Sequence, residues 1–106
     1  MPDKTVPIDG NLTLDQTRDA CVVEQNKGFR LGAITNSTKS EGGHVFNVNK
    51  ADFFSDDFLA TLLFVEPGTA DPNAFKQQKV NEGWTHICSG SIWVQNQIKN
   101  VMVFGK

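Results

Sequence analysis

Residues 83–106, GWTHICSGSIWVQNQIKNVMVFGK, read as β-strands, yet they are apolar on both faces. A sheet with one face on a core and the other in water alternates apolar with polar residues, whereas this stretch alternates aliphatic with aromatic. The second face is therefore expected to have an occupant. Ser89-Gly90 fits a two-residue turn that pairs Cys88 with Ser91, Ile87 with Ile92 and His86 with Trp93; a second turn centred on Asn96-Gln97 pairs Ile92 with Val101. One face then carries Thr85, Ile87, Ile92, Val94, Val101 and Val103, with Lys99 at its rim. Its β-branched and aliphatic composition packs well under helices, which assigns it to the core. The other face carries Trp84, His86, Cys88, Trp93, Met102 and Phe104, groups that combine apolar area with polar handles or polarisable sulfur. These six are the candidate ligand or interface residues. Burial under another layer as ordinary core is the competing expectation, and a single bulged strand through Ser89-Gly90 would redistribute the faces.

Upstream of this segment the chain carries helix signals. In TLDQTRDACVVEQNKG, Thr13 and Gln16 fit a capping box, Asp15 lies in the first turn, Lys27 in the last, and Gly28 can take the left-handed stop. The expected helix runs from about residue 14 to about 27, with Leu14, Cys21 and Val22 on its core face. GFRLGAIT and GHVFNVNK are short β-rich runs, separated by NSTKSEGG in the pattern of a hairpin with a long exposed loop. Residues 1–11 read as an extended lead-in closed by a turn at Asp9-Gly10. The stretch FFSDDFLATLLFVEPG is ambiguous between helix and central strand; Ser55 as a cap, Asp56 and Asp57 in a first turn and the 58, 59, 62, 65 spacing favour helix. Asp71-Pro72 then opens a short polar helix that ends at a glycine.

At 106 residues, 39% hydrophobic and 21% charged, the chain suffices for one folded domain and lies far from a disordered profile. A net charge of −2 supplies no broad field for phosphate backbones, so nucleic acid is disfavoured as a partner. KGF at residues 27–29 begins like an RNA-recognition signature, but Arg30 and Leu31 break it. No apolar run approaches a bilayer span, and MPDKTVPIDGN lacks the pattern of a signal peptide, which points to a cytoplasmic chain without a membrane partner.

Cys21 and Cys88 have no CxxC spacing, and His86-x-Cys88 offers two metal ligands where a site needs three or four, so no metal and no cofactor is expected. No phosphate loop, GxSxG elbow or HExxH occurs. The sequence thus implies an α+β single domain, with an antiparallel sheet made of the central hairpin and a C-terminal meander under two or three helices on one face. As function it implies a non-enzymatic binding or interaction module holding an apolar small molecule, or a second copy in a homodimer, on the aromatic face. A small enzyme with His86 as general acid or base is the alternative, and single-stranded nucleic-acid binding by Trp84 and Trp93 the third reading.

Overall fold

The computed structural model describes residues 1–55, 61–68 and 71–106. Helix α1 (Leu14–Gln25) begins at the expected capping box: Gln16 N donates to Thr13 Oγ1 at 3.2 Å and Thr13 N to Gln16 Oε1 at 3.0 Å. It ends two residues earlier than the sequence implies, with Gly28 in the left-handed conformation just beyond (φ 94°). Cys21 is fully buried, and Leu14 and Val22 pack against the same core. Glu24 also lies inward, where Lys4 Nζ meets its carboxylate at 2.6 Å and Lys27 Nζ at 3.4 Å. The Lys4 hydrogen bond, chiefly, holds its pKa below the usual carboxylate value against the opposing effect of burial. Helix α2 (Pro72–Asn81) starts where Asp71 Oδ1 accepts from Asn73 N (3.1 Å) and Ala74 N (3.2 Å), with Pro72 at the first helical position.

The six strands of the described residues divide between two antiparallel sheets, where the sequence implied one. The first has the order β1-β3-β2 and the second β4-β6-β5, from β1 (Lys4–Asp9), β2 (Arg30–Glu41), β3 (His44–Phe54), β4 (Leu62–Val65), β5 (Thr85–Val94) and β6 (Gln97–Gly105). The lead-in is itself a strand, paired with β3 from Lys4↔Phe53 to Asp9↔Val48. The long loop of the central hairpin is replaced by a tight turn. Gly42 and Gly43 both take left-handed backbone (φ 58° and 81°), so polar residues 36–41 continue the ladder to Glu41↔His44.

Leu62–Val65 is a strand against the helical expectation, pairing with β6 from Leu62↔Gly105 to Val65↔Met102. Alternate burial of Leu62 and Phe64 gives it the period of a sheet. A short apolar run is assigned by the partner that accepts it, and β6 had an edge to offer. The Ser55 side chain bonds Asp3 Oδ2 at 2.9 Å; Asp56, Asp57, Phe58 and Leu59 of the expected helix lie outside the described residues.

The C-terminal segment is one hairpin. β5 passes straight through Ser89-Gly90, and the turn sits at Gln95-Asn96, both left-handed (φ 51° and 61°). Pairing therefore runs Val94↔Gln97 and Ile92↔Lys99, two residues from the expected register, and continues to Cys88↔Val103 in place of the expected pairing of Cys88 with Ser91, with a bulge between His86 and Cys88. A two-residue slip keeps side chains on their faces, and only Cys88, beside the bulge, changes side. Ile92, Val94, Val101 and Val103 accordingly join Ile8, Leu31, Ile34, Ala51 and Phe53 of the first sheet in a shared core.

Beside this apolar core, polar contacts also join the sheets. β5 is an edge strand, and the backbone groups it turns away from β6 meet side-chain amides of the first sheet. Asn49, fully buried, donates Nδ2 to Trp93 O and accepts from Trp93 N, each at 2.8 Å. Asn36, its cross-strand partner, donates Nδ2 to Ser91 O at 2.8 Å. Asn49→Ala removes the partners of the Trp93 backbone N–H and C=O, and each stranded backbone group costs about 1–3 kcal/mol. Urea denaturation of Asn49→Ala should show a loss of about 2–4 kcal/mol, whereas the exposed Asn36→Ala should lose distinctly less.

Candidate functional site

The face of the second sheet turned away from the core carries His86, Ser89, Ser91, Trp93, Asn100, Met102 and Phe104, as strand alternation from the observed register dictates. Its three parts have different surroundings. At one end α2 covers it: the Phe75 ring lies 6.5 Å from that of Phe104, which is fully buried, and His86 meets Phe104 edge-on at 5.5 Å. At the other end Trp93 is committed internally, donating Nε1 to Ser37 O at 3.0 Å. Gly10 packs so closely there that a Cβ on it would approach Asn47 O to 2.6 Å and Trp93 Cβ to 2.9 Å.

Between these ends lies an open groove of about 610 Å³, bounded by Pro67, Gly68 and Pro72 on one side and by Ser89–Ser91 and Asn100–Met102 on the other. None of these lining residues is charged. Its sheet wall is a row of small polar groups, in which Ser91 Oγ donates to Asn100 Oδ1 at 2.8 Å. The Oγ of Ser89 lies 2.6 Å from His86 Nε2.

Of the six residues singled out in the sequence, His86, Met102, Phe104 and Trp93 do share the outer face, but only Met102 lines the groove. Trp84 precedes β5 and lies under Lys106 Nζ at 4.7 Å from the ring centroid. Cys88 belongs to the other side. The bulge places it opposite Val103, packed with Ile87 against the core, so His86 and Cys88 do not face a common site. Burial pushes the Cys88 thiol up to about 11 and the Cys21 thiol to about 12, the opposite of an activated thiolate. Ser89 was missed in the sequence because Ser89-Gly90 resembles a turn, and Ser91 and Asn100 because the aromatic members of the face carry the stronger signal; small polar residues alternating inside an apolar strand were the available signal.

His86 is held below its ordinary imidazole value, first by burial and then by the Lys76 ammonium of α2, while a backbone hydrogen bond with Cys88 pulls the other way. At neutral pH the ring is therefore an uncharged base. Among the described residues no three His, Cys, Asp or Glu side chains converge as metal ligands, and no helix is long and apolar enough to cross a membrane. Comparison with protein-family models, curated proteins and solved structures found no match for the chain.

An NMR titration of His86 should give a pKa below 6.5, its ordinary value. In Lys76→Ala the midpoint should rise, because a repelling cation is gone while burial remains. A midpoint unchanged by that substitution would show that burial alone sets it.

Proposed function

We infer that the chain is a small binding module whose outer sheet face holds one small uncharged molecule in the groove beside Ser89, Ser91, Asn100 and Met102. The groove itself carries this reading. Its 610 Å³ falls within the roughly 300–1,000 Å³ typical of small-molecule sites. The two prolines and Met102 supply apolar contact, and the serine hydroxyls and the asparagine amide supply donors and acceptors. A formally charged ligand would meet no countercharge in this lining. The occupant expected from the sequence, an apolar small molecule, is thus refined to one that is amphipathic and neutral.

Self-association through the same face is the second reading, favoured by Ile98, which lies opposite Trp93 and is 47% exposed. The indole of Trp93 is anchored to Ser37, so Ile98→Asp tests a two-fold contact without breaking the joint between the sheets.

N-benzylacetamide, an uncharged amphipathic probe, should shift the backbone amide signals of Ser89, Gly90, Ser91, Asn100 and Val101, and Ser91→Phe, which fills the groove, should abolish the response. Shifts confined to other surfaces would refute the groove reading. Light scattering decides the second reading: a micromolar wild-type dimer that Ile98→Asp converts to monomer supports it, and a wild-type monomer removes it.

A further inference from the structure

The groove wall contains a nucleophile beside a base. Ser89 is exposed and its Oγ lies 2.6 Å from His86 Nε2, a ring packed edge-on against Phe104 under α2. We propose that Ser89, with His86 as general base, attacks the carbonyl carbon of a small uncharged carboxylic ester bound in the groove and forms an acyl-serine. The inference rests on the groove reading and extends it from binding to chemistry.

A serine hydroxyl is a poor nucleophile until an adjacent base takes its proton, and hydrogen-bond contact between the two is the geometric requirement. In the tautomer with Nε2 bare, Ser89 Oγ–H donates to it. As Oγ bonds to the ester carbonyl carbon, its proton passes to Nε2. The tetrahedral intermediate then collapses with cleavage of the ester C–O bond, and the departing alkoxide takes the proton from Nε2. Water, giving a proton to the same nitrogen, then bonds to the acyl carbon; the C–Oγ bond breaks, Oγ takes the proton back from Nε2, and the carboxylic acid leaves with Ser89 restored. Asn100, in the same wall, provides side-chain amide hydrogens for the charge that develops on the carbonyl oxygen. Phe104, fully buried, lies edge-on to the ring of the dyad and is itself met by Phe75 of α2, and Lys76 is a charged group that α2 brings to bear on His86. Both the packing and the lysine keep the imidazole able to accept a proton at neutral pH.

The ester specificity follows from the lining. Among the described residues lining the groove none is charged to hold a phosphate or a carboxylate, whereas an uncharged ester can place its acyl or alkyl part against Met102, Pro67 and Pro72.

The test uses 4-nitrophenyl acetate on the whole chain, with intact mass spectrometry and peptide mapping. The expected result is a burst of one nitrophenolate per chain and one acetyl group mapped to Ser89, absent in Ser89→Ala and about 100-fold slower in His86→Gln. The lower limb of the pH–rate profile should fall below the ordinary imidazole value and move upward in Lys76→Ala, a response that a merely structural His86 would not give. Acetylation confined to lysines, an equal burst in Ser89→Ala, or an unchanged rate in His86→Gln would overturn the proposal. If N-benzylacetamide shifts the groove amides while Ser89 stays unmodified, the acyl-transfer proposal fails and the groove reading stands. If neither occurs, both fail.

Discussion

The paired hydrogen bonds between the Asn49 side chain and the backbone of Trp93 are the constraint on which the remaining architecture depends. An edge strand exposes a row of N–H and C=O groups that must be paired, covered or left wet. β5 has such an edge at the place where the two sheets meet. A carboxamide is the one common side chain that presents a donor and an acceptor in the spacing of a peptide group, so an asparagine can stand in for a strand neighbour. Asn49 does so at a fully buried position, and Asn36, directly across the β2–β3 ladder, repeats half of the arrangement at Ser91. The aliphatic core between the sheets contributes most of the burial energy but is tolerant in direction; the amide pair fixes the angle and register at which the sheets meet.

That register decides what the outer face can be. With Trp93 fixed, alternation turns Ser91 and Ser89 outward and Ile92 and Gly90 inward. The bulge before Cys88 then reverses the parity, which keeps His86 outward beside Ser89 while Cys88 and Ile87 turn to the core. Without the bulge, the residue two before Cys88 would share its face, and the imidazole would be lost from the outer side. The 2.6 Å approach of His86 to Ser89 is thus a product of one irregularity in an otherwise regular ladder.

The sequence made the ends of elements legible where a side chain bonds its own neighbourhood. Thr13 with Gln16, and Asp71 with Pro72, are such cases, and both helices form as their local chemistry dictates. It was less informative where a partner distant in the chain decides. Residues 36–41 are polar and, Thr38 apart, of low sheet propensity, but two left-handed glycines close the turn tightly enough to give them ladder partners. Leu62–Val65 became a strand because β6 presented an edge. The division of the last segment into an aliphatic and an aromatic face survived a wrong turn assignment, because a two-residue turn at Ser89-Gly90 and a single bulge at Ile87 change strand parity alike. Cys88, which lies between those two positions, is the residue that changed face. The candidate site is legible only in part for the same reason: His86, Trp93, Met102 and Phe104 do share one face, but Ser89 reads as part of a turn.

The two ends of that face show how one composition yields different chemistry. Aromatic residues at both ends are covered, by α2 over Phe104 and by the Gly10 approach and the Ser37 carbonyl at Trp93. Uncovered, those rings would have formed an apolar patch of the sort that draws partners unselectively. Covering them leaves open the stretch of the face where the side chains are small and polar, and a groove results because serines are short relative to the elements that flank them. α2 acts twice in this. Its first residue, Pro72, helps to wall the groove, its Phe75 covers Phe104, and its Lys76 adds to the burial that lowers the His86 pKa. The shape of the groove and the proton affinity at its edge are therefore coupled through the placement of a single short helix, whose start is fixed by the Asp71 cap.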